Sequence, residues 1–267
     1  MYTLLEASLG DLTRLYQYKL EGSFKADFSL KGFDYPWIIQ SHAWQAGEKV
    51  LDVGAGYSSL PLHIQETYAV EMWVADDYGL DSEEPFWERR TSPHEYIANH
   101  PQVKFVLERL GESEKSSLPQ GYFDVIYSAS ALEHVPCSLT PFVWKHMDQL
   151  LKTGGEMIHA IDIPFPSNGG VKKIIQAIAF DALRRFIPYN IKLQHHLATP
   201  ATYVHLVRQA IGFEEKAPAG LSVMNMVLNS DVLSESYAHG LNRIMKDKMK
   251  DYRYTRIGTL LLRMKKR

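Results

Sequence analysis

The sequence of 267 residues is 45% hydrophobic and 22% charged, and it contains a single cysteine, Cys137. This composition excludes a disordered, collagen-like or low-complexity chain and predicts one large core with an accessory cap. One cysteine cannot form an intramolecular disulfide, and neither a secretory signal nor a run of about eighteen apolar residues is visible. We therefore expect a cytoplasmic protein without a membrane-spanning segment.

The charge of the chain is balanced overall but uneven along its length. The formal net charge is −2, from 29 basic and 31 acidic residues, which argues against a nucleic-acid coat. Residues 243–267, however, contain ten Lys or Arg and two acids. This basic tail is interpreted either as a solvated helix over 242–254 followed by a strand, or as a patch for an acidic partner.

Residues 46–163 show strands alternating with helices. An apolar strand over 50–53 ends in a glycine turn, and a helix begins near Ser58, a residue type that caps helix N-termini. Further strands are predicted over 70–75, 103–107, 123–128 and 156–161, and further helices over 93–99 and 141–151. The pair Gly154 and Gly155 is predicted to stop the last of these helices. Such alternation implies a mainly parallel, doubly wound sheet.

The remaining segments are less regular. We predict an N-terminal cap over 1–45, a core over 46–163, a helical insert over 164–199, and a C-terminal part of the core over 200–267. The insert begins with Pro164 and Pro166 and contains an apolar helix over 171–187. The last segment is expected to contain a helix over 200–210, a sixth strand over 212–214 and a final strand over 257–264. The insert and the cap together suggest a lid that excludes water from a site.

A glycine turn follows the first predicted core strand and reads Asp52–Gly56. Glycine lets the backbone approach a ligand closely, so a nucleotide-like ligand is expected here. The second strand ends at Asp76 and Asp77, twenty residues after Gly56, where a carboxylate could accept both hydroxyls of a ribose. An aspartate that only caps the next helix is the alternative. Residues 57–59 lack the third glycine of the dinucleotide fingerprint, which disfavours NAD.

Four sequence blocks occur in a fixed order along residues 48–163. They are Val-Leu-Asp-Val-Gly-Ala-Gly at 50–56, Trp-Val-Ala-Asp at 73–76, Phe-Asp-Val-Ile at 123–126 with Ala-Leu-Glu-His-Val at 131–135, and Leu-Leu-Lys-Thr-Gly-Gly-Glu at 150–156. In these blocks the chain resembles the class I S-adenosylmethionine-dependent methyltransferases, particularly the small-molecule group. The resemblance implies a Rossmann-like, doubly wound α/β fold, with a mostly parallel seven-stranded sheet whose last strand is antiparallel. It also implies S-adenosyl-L-methionine as cofactor and S-adenosyl-L-homocysteine as product.

The resemblance carries cofactor contacts onto particular residues. The glycine turn would pass beneath the methionine part of the cofactor, with Asp52 near its ammonium group, while Asp76, or Asp77 as second candidate, would accept the ribose hydroxyls. Backbone carbonyls at the end of the fourth core strand would meet the same ammonium. The positions assigned in this way, including Arg109 near adenine, are Asp52, Gly54, Ala55, Gly56, Asp76, Asp77, Arg109, Ser128 and Ala129.

Adenine recognition departs from the pattern of many relatives. They place an aspartate after the third strand, whereas residues 107–112 of this chain contain none. Glu108 or Glu112 could take its place, or Arg109 could stack on the purine. All three alternatives stay open at the level of sequence.

His134 is the first candidate for a catalytic base. Methyl transfer from a sulfonium is an in-line displacement, so an acceptor hydroxyl or protonated amine needs a base as well as positioning. His134 lies just beyond the fourth core strand, where ligands bind in open α/β sheets, and Glu133 could orient it. A hydrogen-bonded packing residue beneath the cofactor is the alternative.

The acceptor side is predicted from aromatic residues of the cap and from polar residues after the fifth strand. The candidates for substrate contact are Tyr18, Tyr35, Trp37, His159 and Asp162. Core packing is an alternative for the aromatic residues, and His159 could instead face a helix. His159, Asp162 and the pair His195-His196 are possible metal ligands, but they lack a compact carboxylate or His/Cys set, so no metal is expected.

These features favour methyl transfer to an oxygen, nitrogen or carbon atom of a small or medium organic acceptor over action on a nucleic acid or folded protein. Two other functions stay open. One is an NAD(P)-dependent oxidoreductase, which the missing third glycine disfavours. The other is a non-catalytic module that binds S-adenosylmethionine, for which the basic tail would make RNA or an acidic protein the relevant partner.

Overall fold

The computed structural model describes residues 2–5, 31–79, 92–113, 116–135, 138–165, 200–212 and 256–267. The strands are β1 (Tyr2–Leu5), β2 (Lys49–Val53), β3 (Glu71–Asp76), β4 (Lys104–Leu107), β5 (Phe123–Ala129), β6 (Leu151–Phe165) and β7 (Arg256–Lys266). The helices are α1 (Lys31–Ser41), α2 (Leu60–Tyr68), α3 (Pro93–Ala98), α4 (Thr140–Leu150) and α5 (Pro200–Ile211), with a short 3₁₀ helix at Leu132–His134.

The described strands form one sheet in the order β1-β7-β6-β5-β2-β3-β4. Strands β2 to β6 run parallel, as the alternation of strands and helices predicted. The last strand, β7, is antiparallel to β6, which confirms the expected direction of that strand. The central pair, β2 and β5, has its carboxyl ends beside each other, with β3 and β6 on opposite sides. This is the switch point of the sheet, where open α/β folds form their binding crevice.

The N-terminal segment corrects one prediction. Tyr2–Leu5 was assigned to a cap, yet it forms β1, which pairs antiparallel with β7 at the sheet edge. Tyr2 is 1% exposed, and its hydroxyl donates a 2.7 Å hydrogen bond to Asp148 of α4. Burial and this carboxylate both raise the pKa of Tyr2, so the phenol stays protonated and the edge strand is fixed to the helix layer.

Two hydrophobic clusters cover the two faces of the sheet because successive strand residues point to opposite sides. Leu51 of β2 belongs to the cluster beneath α4 and α5, whereas its neighbour Val50 belongs to the cluster beneath α1 and α2. Each helix layer contributes fully buried side chains, such as Trp144 of α4 and Ile38 of α1. The sheet is thus covered on both faces, as its long apolar strands require.

The boundary between α4 and β6 differs from the prediction. The helix ends at Leu150 and Leu151 already begins β6, so Gly154 and Gly155 lie inside a strand and do not stop the helix. A Cβ at position 155 would lie 2.9 Å from the Asp124 carbonyl oxygen, which explains a glycine there. Strand β6 also continues through Pro164 to Phe165, past the predicted start of the insert.

Several predicted elements fall outside the described residues. They are the insert helix at 171–187, all of the sixth strand except Gly212, and the helix at 242–254. In the part of the chain that the structure describes, no helix has the length and apolar character needed to cross a membrane.

Candidate functional site

The glycine turn after β2 brings two loops of the crevice into contact. Gly54 has a φ of 77°, and its N–H donates a 2.9 Å hydrogen bond to the Ala75 carbonyl oxygen of β3. A Cβ on Gly54 would lie 2.5 Å from the Cβ of Ala131, in the loop after β5. Backbone conformation and space therefore both require glycine at this position.

Asp76 ends β3 and reaches back to the glycine turn. Its carboxylate accepts a 2.7 Å hydrogen bond from the N–H of Gly56 and a second hydrogen bond from the N–H of Tyr78. The residue is 8% exposed, and burial is the largest cause that raises its pKa overall, although the two backbone N–H groups lower it. Each carboxylate oxygen keeps a further lone pair, so Asp76 can hold the turn and still accept a hydrogen bond from a ligand hydroxyl.

Asp52 lies in β2 at the same end of the sheet and is 2% exposed. Burial, and next the negative charge of Asp52, raise the pKa of Tyr96 to about 12. The same two causes raise the pKa of Tyr127. Both phenols are therefore neutral at physiological pH. Asp52 thus lies among uncharged phenol rings, and a buried carboxylate attracts a ligand cation more strongly than an exposed one.

Three tyrosine rings pack together beside the glycine turn. They were not among the site residues predicted from the sequence. The centroid of the Tyr57 ring is 5.2 Å from that of Tyr78 and 5.0 Å from that of Tyr96, both in edge-to-face arrangements. Tyr57 directly follows Gly56, and Tyr78 lies two residues after Asp76. This proximity to the two motifs is the sequence signal that could have identified them.

Arg109 spans the loops that follow β3 and β4. Its guanidinium donates to the carboxylate of Asp77 and, at 2.6 Å, to that of Glu112. Burial lowers the pKa of Arg109, but the two carboxylates raise it overall. Glu108, a further adenine candidate, accepts hydrogen bonds from the N–H and the hydroxyl of Ser117. The structure thus places Asp77, Arg109 and Glu112 together as an ion-paired cluster at the rim.

The carboxyl end of β5 supplies Ser128, Ala129 and Ser130. Ser128 is fully buried, and its hydroxyl lies 2.8 Å from the Nδ1 of His159. Ser130 has a φ of 47°, a left-handed conformation that is uncommon for a residue with a side chain. Its N–H donates a 2.8 Å hydrogen bond to the Ala160 carbonyl oxygen of β6, which fixes the peptide between Ala129 and Ser130.

His134 lies on the 3₁₀ helix that follows this turn. Its side chain is 66% exposed, whereas that of Glu133 is 5% exposed. The His134 Nε2 is 3.7 Å from a carboxylate oxygen of Glu133, so the buried acid is close enough to orient the exposed imidazole. His134 is therefore accessible at the rim of the crevice and is not covered by packing.

The other predicted substrate residues are dispersed. His159 is fully buried, packs edge-on against Trp144 with ring centroids 4.9 Å apart, and has a pKa lowered to about 3 by burial. This is the helix-facing placement named above as the alternative for His159. Trp37 is 3% exposed within the core beneath α1. The Asp162 backbone lies in β6 opposite Thr259, and Tyr18 lies outside the described residues.

Tyr35 lies at the crevice but faces a loop. It is 7% exposed, and its hydroxyl accepts a 2.9 Å hydrogen bond from Ser58. Across the ranges that the structure describes, no three His, Cys, Asp or Glu side chains are grouped as metal ligands would be.

The residues of this crevice lie in a part of the chain that is similar to known methyltransferases. Residues 51–159, which contain the glycine turn, β3, β5 and the 3₁₀ helix, match a family model for a methyltransferase domain. The chain is 26% identical over 187 residues to the ubiquinone biosynthesis O-methyltransferase of Acinetobacter baylyi, covering 69% of this chain and 71% of that protein.

Two solved structures support the fold. One is a protein from Galdieria sulphuraria assigned as a sarcosine dimethylglycine methyltransferase, with a TM-score of 0.54, 15% identity, and coverage of 96% of this chain and 98% of that chain. The other is the phosphoethanolamine N-methyltransferase 2 of Haemonchus contortus in complex with S-adenosyl-L-methionine, with a TM-score of 0.51, 13% identity, and coverage of 95% of this chain and 57% of that chain.

Proposed function

We propose that this chain, which belongs to the S-adenosylmethionine-dependent methyltransferases, transfers a methyl group to an oxygen, nitrogen or carbon atom of a small or medium organic acceptor. The observation that carries the proposal is the bond between the N–H of Gly56 and the carboxylate of Asp76. It joins the glycine turn of β2 to the acid that ends β3, at the carboxyl edge where ligands bind in open α/β sheets.

The residues at this edge fit the charge and shape of the cofactor. A sulfonium and an ammonium group are both cationic, and the buried carboxylates of Asp52 and Asp76 lie at the base of the crevice. Gly54 lets the Ala131 side chain pack directly against the backbone of the turn, where a Cβ would overlap it. We assign Gly54, Ala55 and Gly56 to the methionine part of the cofactor.

The hydrogen-bonding groups of the crevice divide between the two ends of the cofactor. Asp52 and the carbonyl groups of Ser128 and Ala129 would hold the ammonium group. Asp76 would hold the ribose hydroxyls, because its carboxylate keeps acceptor capacity beside the bonds that it receives from the backbone. The ion pair of Asp77 and Arg109 would border the adenine.

The bound cofactor would supply an electrophilic methyl group on its sulfonium. The protein has to hold the acceptor in line with that methyl group and remove a proton where the acceptor carries one. His134 is accessible, and its Nε2 faces the buried carboxylate of Glu133, so we assign the acceptor proton to the other ring nitrogen, Nδ1. Tyr18 and Asp162 remain candidates for acceptor contact.

Isothermal titration tests the cofactor assignment directly. The wild-type protein is titrated with S-adenosyl-L-homocysteine and, separately, with NAD⁺. Binding of the first and not of the second is expected. Binding of NAD⁺ alone would favour the oxidoreductase that the sequence left open and would contradict the proposal.

Methyl transfer itself is tested with labelled cofactor and pools of small hydroxyl, amine and carbon-acid acceptors. Label transferred to a small acceptor, and lost on boiling the protein, is the expected result. Tight binding of the cofactor without transfer to any pool would favour a non-catalytic module, and label transferred only to RNA or protein would contradict a small acceptor.

A further inference from the structure

Two adjacent residues of α1, Asp34 and Tyr35, are hydrogen-bonded to two different loops of the crevice. We infer that they are positioning residues, which fix the distance between the glycine-turn loop and the loop after β5 and so keep the crevice at the width that the cofactor needs. The inference rests on the proposed function, because it concerns the same crevice. It assigns α1, which lies outside the matched residues 51–159, to the cofactor site.

Asp34 fixes the loop after β5. Its carboxylate is fully buried and accepts a 3.0 Å hydrogen bond from the hydroxyl of Ser130. Ser130 has a φ of 47°, which is strained for a residue with a Cβ, so the loop keeps this conformation only where contacts stabilise it. Ala129, whose carbonyl is assigned to the ammonium group of the cofactor, directly precedes Ser130 at the end of β5, so Asp34 acts on the cofactor site through Ser130.

Tyr35 fixes the glycine-turn loop. Its hydroxyl accepts a 2.9 Å hydrogen bond from Ser58, two residues after Gly56. The Ser58 hydroxyl also accepts from the N–H of Leu60 at the start of α2, and the Ser58 carbonyl accepts from the hydroxyl of Tyr96. Ser58 is therefore held by both backbone and side chain, and Tyr35 connects it to α1.

Helix α1 is itself firmly anchored. Tyr35, Trp37, Ile38 and Ile39 belong to the hydrophobic cluster on one face of the sheet, and Ile38 is fully buried. Consecutive helix residues point about 100° apart, so Asp34 and Tyr35 can reach different loops from one rigid element. Because a Cβ on Gly54 would already overlap Ala131, the two loops have little room to approach each other. A small displacement of α1 therefore changes the crevice.

The first test is the conservative variant Tyr35→Phe, which removes only a hydroxyl. Its dissociation constant for S-adenosyl-L-homocysteine should rise by about three- to tenfold, the value of one lost hydrogen bond. Tyr122→Phe is the matched control, because the Tyr122 hydroxyl donates a 2.7 Å hydrogen bond to Glu71 at the opposite, amino edge of the sheet. The control should bind the same ligand within about twofold of the wild type, as expected for a distant site.

The second test compares two substitutions of Ser130. Both Ser130→Ala and Ser130→Gly remove the hydroxyl that Asp34 accepts from, but only glycine adopts a positive φ without strain. Ser130→Ala should therefore weaken ligand binding by about three- to tenfold, whereas Ser130→Gly should recover most of the loss. Equal weakening by both variants would support the bond with Asp34 as the cause of the whole effect, whereas binding by Ser130→Ala as tight as that of the wild type would overturn the role of Asp34.

The outcomes separate the inference from the proposed function. If the wild type does not bind S-adenosyl-L-homocysteine, both are overturned. If the wild type binds but Tyr35→Phe and Ser130→Ala match the Tyr122→Phe control, the proposed function survives and the positioning role is overturned. Circular dichroism and melting confirm that each variant is folded. Ser58→Ala, which removes the Tyr35 bond from the loop side, replaces any Tyr35 variant that does not fold and should weaken binding in the same way.

Discussion

The carboxylate of Asp76 accepts a 2.7 Å hydrogen bond from the N–H of Gly56, so the acid that ends β3 holds the glycine turn of β2. The same carboxylate is bonded to the N–H of Tyr78. Such bonds make the turn rigid before any ligand arrives, which lowers the entropic cost of binding. They also keep the carboxylate of Asp76 buried, and this burial should have a measurable effect on the stability of the fold.

Asp76→Asn should change the pH dependence of stability. Burial raises the pKa of Asp76 in the folded protein, so its contribution to stability is most favourable below the ordinary aspartate pKa and declines as pH rises through the raised value. Asparagine does not titrate. Relative to the wild type, the variant should therefore gain stability as pH rises above the ordinary aspartate pKa of about 4, measured as the free energy of unfolding in urea.

The same variant tests the ribose assignment. Asp76→Asn should weaken S-adenosyl-L-homocysteine binding by about tenfold or more, because hydrogen bonds to a charged acceptor are the stronger ones. Asp77→Asn is the comparison variant, because Asp77 is the second candidate for the ribose and is paired with Arg109. A larger loss of affinity for Asp77→Asn would transfer the ribose contact to that residue.

Gly54→Ala should damage both stability and cofactor binding. The new Cβ would have to tolerate a φ of 77° and a Cβ–Cβ distance of 2.5 Å to Ala131. We expect a loss of about 2 to 5 kcal/mol in the free energy of unfolding, from backbone strain of about 1 to 2 kcal/mol and overpacking of about 1 to 3 kcal/mol. Chemical denaturation measures it.

Gly47→Ala isolates the backbone part of this effect. Gly47 has a similar φ of 81°, but a Cβ there would meet no atom within 4 Å. It should therefore lose only about 1 to 2 kcal/mol. Addition of Ala131→Gly to Gly54→Ala should recover the difference between the two variants, and equal losses for Gly47→Ala and Gly54→Ala would show that the contact with Ala131 has no energetic effect.

The sequence predicted the core well because its signals are local. Strand β3 was expected over 70–75 and is found at Glu71–Asp76, and β7 contains the apolar run predicted over 257–264. Such strands lie inside a sheet covered on both faces, so each is a continuous apolar segment that can be identified without its neighbours. The glycine turn was found for a similar reason, since its residues are adjacent.

Features that depend on distant residues were missed. Tyr2–Leu5 has no pattern that distinguishes a strand from a loop, and it pairs with residues at the other end of the chain. Asp34 is an isolated acid among aromatic residues in the sequence, and only the fold shows that it is buried against Ser130. Gly154 and Gly155 were interpreted as a helix stop because glycine is conformationally free and often ends helices. Glycine also occurs inside strands, which is where these two residues lie.

His134→Ala tests the proposed base. Because the His134 side chain is 66% exposed, its loss should leave the free energy of unfolding and the affinity for S-adenosyl-L-homocysteine nearly unchanged. Turnover with an accepted substrate should fall by at least about tenfold if the acceptor must lose a proton. His94→Ala, on the exposed face of α3, is the control. Unchanged turnover in His134→Ala would exclude it as the base.

The amino edge of the sheet provides a pH prediction unrelated to the crevice. The imidazole of His42 lies 3.3 Å from Glu156 and 3.1 Å from Glu48, and Arg263 is also bonded to Glu156. Burial lowers the pKa of His42, but its hydrogen bonds to the two carboxylates raise it overall. The stabilisation is therefore complete below the ordinary histidine pKa and is lost as pH rises through the raised value.

His42→Gln should consequently cost about 1 to 2 kcal/mol near pH 6 and less near pH 9, as measured by urea denaturation. His63→Gln provides a control of opposite sign. Burial lowers the pKa of His63 in the folded protein, so that histidine destabilises the fold as pH falls, and its replacement should become more favourable toward pH 6. If the two variants show pH slopes of the same sign, the bonds between His42 and the two carboxylates do not control its protonation.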